Sequence, residues 1–224
     1  MTPSRATCLL GLWSALATLL FSAAYVAAQV LEWTGLLGSA GGPASASTPL
    51  GLALLLTPSL LLGPSFVLLA AALHAAAPTG RKAFSLAALA FATIYATLTG
   101  MVYFVQLTFV APRLAAGETE AIALLLFVPY RSFLFAVDLL GYSFMSAAAF
   151  CAAFALPPSP RSNGAKVALL ATGALLPFLA LQMFFPWMIW PAAAWGISFP
   201  VSAILLALMF RDLAKAVPAA LTGT

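Results

Sequence analysis

"RSFLFAVDLLGYSFMSAAAFCAAFAL", residues 131–156, is the run on which the fold turns. It opens with Arg131 and holds one further charge, Asp138, in an otherwise apolar sequence. About 20 mostly apolar residues suffice for a helix to cross about 30 Å of hydrocarbon. With the preceding "AIALLLFVPY" (121–130) the apolar stretch reaches 36 residues. As one helix that is about 54 Å, too long for a single perpendicular crossing. Pro129 and Arg131 mark where it divides. The expectation is a short interfacial helix over 118–128, followed by a span over 132–156.

The same measure applied outward gives six spans, roughly 8–29, 50–73, 84–110, 132–156, 166–186 and 189–210. The chain of 224 residues is 64% hydrophobic and 6% charged, against about a quarter charged in a soluble domain. Water does not solvate such a surface, and a lipid bilayer does. The fold class is therefore all-α, a polytopic helical bundle of the membrane, with residues 1–224 as one domain. The net charge of +4 includes no basic run of the kind that binds nucleic acid.

The connections agree with this division. "EWTGLLGSAGGPASASTP" (32–49) is a Gly-, Ser- and Pro-rich loop. "HAAAPTGRKA" (74–83) and "PPSPRSNGAK" (157–166) are short basic turns, and "FFPWMIWP" (184–191) is a tight aromatic one. With the N-terminus inside, Arg5, Arg81, Lys82, Arg161, Lys166, Arg211 and Lys215 are all cytoplasmic, and only Arg113 and Arg131 lie outside. That asymmetry predicts N-in and C-in, with Trp33, Trp187 and Trp190 at the outer interface. Short loops and an Ala- and Leu-heavy composition point to a prokaryotic cytoplasmic (inner) membrane. Arg5 and an apolar run ending in "YVAAQ", with Val26 and Ala28 as small residues, also fit a cleaved signal peptide. The length of that run and its ordered polar face favour a retained span.

Polar side chains sorted at 100° per residue fall into stripes. In the first span Ser14, Thr18, Ser22, Tyr25, Gln29 and Glu32 share an arc of about 80°. Tyr95, Thr99, Tyr103 and Gln106 do so in the third span, and Arg131, Asp138, Tyr142 and Ser146 in the fourth. Lipid offers such groups no partner, so the stripes face one another. Glu32, Gln29, Gln106, Tyr103 and Asp138 sit toward the outer ends of their helices, as does Gln182 of the fifth span. The expected site is a polar pocket, open outward and centred on Asp138. Arg131, Tyr142, Tyr103, Gln106, Tyr95, Gln29, Glu32 and Gln182 are its candidate ligand-binding residues.

Two readings compete for Asp138. A carboxylate within a span costs about 2.5–3.5 kcal/mol on insertion scales, so it is usually paired or lines a wet cavity. It serves structure if it bonds Tyr95, Tyr103 or Gln106, and function if it meets a ligand or proton. Arg131 lies about 10.5 Å outward on the same face, near enough for its long side chain to bridge part of the gap. Pro58, Pro64, Pro177 and Pro200 predict kinks and freed carbonyls, a device by which transporters build substrate sites.

No catalytic residue is identified. One histidine, His74, and two cysteines, Cys8 and Cys151, supply no metal site, and no phosphate-cradling glycine motif is present. No cofactor is expected. An enzyme using Asp138 as base with Tyr103 or Tyr142 as donor is the weakest reading. The strongest is a handler of a small molecule, lipid or ion. A structural or assembly subunit, with another membrane protein as partner, is the alternative.

Overall fold

The computed structural model describes residues 3–217. Six helical segments are long and apolar enough to cross a membrane, and no strand occurs among the described residues. They begin with α1 (Arg5–Trp33) and α2 (Pro49–Ala76). Ser4 and Thr48 cap these two helices, each side chain accepting the backbone N–H three residues on. The third crossing is α3 (Lys82–Val105), a π-helical turn (Gln106–Val110) and α4 (Ala111–Ala115). A 3-10 helix (Glu120–Leu125) leads to α5 (Phe133–Ala153). The fifth crossing is α6 (Ser162–Gly173) with α7 (Leu176–Ala180). The sixth runs through a 3-10 turn (Pro186–Met188), α8 (Ile189–Ala192) and α9 (Trp195–Ala216).

Helix α1 packs on α2, α2 on α3, α3 on α5, α5 on α6, α6 on α9, and α9 returns to α1. The helices thus form a ring in chain order that closes between the first and last crossings. Closure depends on small residues, which let helices approach where lipid supplies no hydrophobic drive. A Cβ at Gly11 would lie 2.5 Å from the Phe210 ring, which is fully buried. One at Gly173 would lie 2.7 Å from Phe150 Cβ and 2.9 Å from its Cα. Because the second obstacle is backbone, it cannot swing aside. Gly173→Ala is expected to cost about 1–3 kcal/mol, measured by thermal unfolding in detergent.

Several boundaries differ from the expected ones, each for a local reason. The third crossing continues past residue 110 to Ala115, with the N–H of Ala111 bonded to Gln106 O. Pro112 follows at once; it has no N–H and its ring crowds the carbonyl four residues back, and the wider π turn accommodates it. The interfacial helix shrinks to six residues of 3-10 form, with Ile122 fully buried. The chain divides at Pro129–Arg131 as expected, through Tyr130 at φ 62°. Helix α6 stops before Pro177, whereas α2 and α9 continue through Pro58, Pro64 and Pro200.

At one end of the ring gather the basic turns. There Arg161 pairs with Asp212 at 2.8 Å, and Arg81 donates to Leu156 O at 2.9 Å. His74 Nδ1 and Ser85 Oγ are 2.8 Å apart, and Cys8 and Cys151 are free thiols. At the other end lie the 34–48 loop and the paired rings of Trp33 and Trp190, 5.9 Å apart.

Candidate functional site

The polar stripes of α1, α3 and α5 turn inward. Ser14, Thr18, Ser22, Thr99, Ser146 and Glu32 are all buried, and the hydroxyls mostly return to carbonyls of their own helix. Such bonds satisfy a hydroxyl without committing it to a neighbour. Toward the loop end the stripes do not close on each other. They leave a cavity of about 300 Å³ inside the ring.

Six of the nine expected residues line this cavity: Gln29, Glu32, Tyr103, Asp138, Tyr142 and Gln182. They come from four crossings. Asp138 is the sixth residue of α5, about 7.5 Å along the axis from its start, and Tyr142 lies one turn deeper. Gln182 sits in the turn after α7, fully buried. Gly42, Pro43, Ser45 and Ser47 of the loop form the mouth.

The other three stand apart. Tyr95 is fully buried below the cavity, its ring 5.7 Å from that of Tyr142. Gln106 is also fully buried, and its amide donates to Leu125 O at 2.7 Å, fixing the 3-10 helix against the third crossing. Arg131 is exposed and makes no ion pair with the described residues. It does not reach the Asp138 carboxylate as an ion-pair partner among the described residues. Residue 131 precedes the N-cap Ser132, so it lies outside the helix whose periodicity placed it on that face.

Aromatic rings make the floor. Tyr142 packs on Tyr25 (6.2 Å), Tyr95 (5.7 Å) and Trp195 (5.4 Å), which belong to three other crossings. Trp195 stacks on Phe199 at 5.1 Å and donates its indole N–H to Met145 Sδ at 3.1 Å. Tyr25 and Trp195 both line the cavity, and sequence reasoning did not count either among the ligand-binding residues. Tyr25 lay on the α1 stripe, four residues before Gln29, whose Oε1 it bonds at 3.0 Å. Trp195 carried no signal beyond being an aromatic near a helix start.

The hydrogen bonds of this site are incomplete. Tyr103 donates to the Tyr142 phenol at 3.3 Å. Asp138 Oδ1, both Glu32 carboxylate oxygens and both polar atoms of the Gln182 amide have no hydrogen-bond partner among the described residues. Asp138 is 7% exposed, Glu32 3% and Gln182 0%. No lysine, arginine or histidine lines the cavity among the described residues. Buried polar atoms are nearly always bonded; of the unmet ones among the described residues, these five face the cavity, and six others, on Thr18, Tyr95, Gln106, Tyr130, Ser146 and Ser198, do not.

Glu32 has a particular neighbour. Its Oε2 would lie 2.6 Å from a Cβ on Gly51, in the first turn of α2, where exposed N–H groups favour negative charge. A methyl there displaces the Glu32 carboxylate, the far end of a flexible side chain, and asks Ser47 Cβ, at 3.3 Å, to give by a few tenths of an ångström. Gly51→Ala is expected to move the Glu32 carboxylate while changing stability by less than about 1 kcal/mol, read by thermal unfolding.

Comparison of the chain with protein-family models, with curated proteins and with solved structures finds no match in any of the three.

Proposed function

We infer that this integral membrane protein binds a small molecule or lipid group in the cavity at the loop end of its helix ring. The observation that carries this reading is that two buried carboxylates and one buried amide, Glu32, Asp138 and Gln182, face one space of about 300 Å³ with polar atoms unpaired. A bundle that serves only as packing satisfies such atoms by interhelical bonds or, as Tyr25 and Gln29 do here, by bonds along one helix. The structural role for Asp138 draws no support from Tyr95, whose hydroxyl is unpartnered, or from Gln106, whose amide donates to Leu125 O.

The basic turns support a bundle with both ends of the chain in the cytoplasm, so that the cavity opens outward. With the composition and short loops, this favours a prokaryotic cytoplasmic membrane. One break in the helices lies on the cavity wall, between α8 and α9, where Ala192, Ala193 and Trp195 line it. Interrupted helices at a midplane or outer cavity are the architecture by which transporters admit and release ligand.

Native mass spectrometry of protein purified in mild detergent tests the reading. Wild type is expected to carry an additional mass that is released on unfolding. Ala193→Trp, at an exposed position on the cavity wall, is expected to carry none. Bare wild-type protein associated with a second protein at fixed ratio contradicts the reading and favours an assembly subunit. The same retained mass in the plugged variant contradicts it as well.

A further inference from the structure

We propose that the cavity takes an organic cation, an amine or quaternary ammonium group held between the Asp138 carboxylate and the rings of Tyr25, Tyr142 and Trp195. This names the ligand class for the binding reading above and rests on it. Charge is the first argument. Asp138 and Glu32 both line the cavity, both are more than nine-tenths buried, and neither joins an ion pair; those among the described residues are Arg161–Asp212 and Arg211–Asp212. A buried carboxylate loses its water; unless it takes up a proton, a compensating positive group must restore the loss. The cations at the same end of the helix ring do not serve. Arg131 is exposed, and the Arg113 guanidinium lies over the Phe109 ring at 3.6 Å. For either carboxylate to be held ionised, the positive charge arrives with the occupant.

The walls decide what carries that charge. A hard metal cation requires about six converging oxygen ligands to replace its hydration shell. No three His, Cys, Asp or Glu side chains converge anywhere among the described residues, and Leu55, Leu56 and Leu139 add apolar surface to the wall. An alkylammonium ion makes the opposite demand: low hydration, apolar contact and ring faces within about 6 Å. Tyr25, Tyr142 and Trp195 supply the rings from three crossings, mutually packed and therefore held in place. The free amide of Gln182 is left to bond a polar substituent on the ligand.

The test uses matched pairs that differ in charge but hardly in shape. Choline is set against 3,3-dimethylbutan-1-ol, and benzyltrimethylammonium against neopentylbenzene. Each is titrated into the full-length protein in lipid nanodiscs, with tryptophan fluorescence as the readout. The cation of each pair is expected to bind at least about tenfold more tightly than its neutral isostere, the scale of one desolvated cation–π and charge contact. In Asp138→Asn that preference is expected to collapse while the isostere binds as before; Glu32→Gln serves as a second variant if the first folds poorly. A neutral isostere that binds as well as its cation overturns the inference and leaves the small-molecule reading standing. Silence from both members of both pairs overturns the inference, and native mass spectrometry then decides the reading beneath it.

Discussion

Trp195→Ala is expected to cost about 3–5 kcal/mol of stability, the largest loss from any single truncation near the cavity. Three observations set that figure. The indole is 5% exposed and packs on Tyr25 at 5.8 Å, Tyr142 at 5.4 Å and Phe199 at 5.1 Å. Those rings belong to α1, α5 and α9, so the side chain joins the last crossing to two others. It also lies beside an existing void, so truncation enlarges a cavity rather than letting neighbours collapse into a small gap. Trp195→Phe keeps most of the ring contact and loses the bond to Met145 Sδ, at an expected cost below about 1.5 kcal/mol. Thermal unfolding in one detergent, with all variants side by side, orders the three proteins.

Asp138 is expected to behave in the opposite way. Asp138→Leu should raise stability by about 1–3 kcal/mol. At a helix centre, Asp and Leu differ by about 3–4 kcal/mol on insertion scales, and the position one turn and a half from the helix end reduces that. Asp138→Asn is expected to match or exceed wild type in thermal unfolding without ligand. Both substitutions are expected to abolish retention of the bound mass. A residue that weakens the fold and is required for binding is the signature of a functional group. A loss of several kcal/mol in Asp138→Asn would instead identify a structural hydrogen bond, and the binding reading would lose its anchor.

Much of this architecture was legible in the sequence because hydrocarbon thickness constrains it. The six crossings follow from length and hydropathy, and the division at Pro129–Arg131 from an apolar run too long to cross once. The walls contributed by Glu32, Tyr103, Asp138 and Tyr142 follow from helical periodicity, since a polar stripe in a span has only the interior to face. Periodicity fails where the helix does. Arg131 shares a helical phase with Asp138 only if the helix reaches it, and the chain at Tyr130 has already turned through a positive φ. Gln106 opens the π turn, and its amide is committed to Leu125. Tyr95 keeps the phase but lies about 12 Å deeper than Tyr103 along α3, below the floor. The closing of α9 onto α1, which brings Trp195 to Tyr25, depends on which small residues meet which rings across the ring seam. Nothing in the order of residues along the chain encodes that pairing directly.

Cysteine accessibility at position 138 tests the central claim most directly. In a background with Cys8 and Cys151 replaced by serine, Asp138→Cys should react with a water-soluble cationic methanethiosulfonate applied from the face bearing the 34–48 loop. It should stay unreacted when the reagent is applied from the face bearing Arg81 and Arg161. Ala148, fully buried about 15 Å deeper on the same helix, provides the unreactive control as Ala148→Cys. Protection of the introduced thiol at position 138 from both faces, in a protein that folds and inserts normally, would show a sealed core and contradict the account.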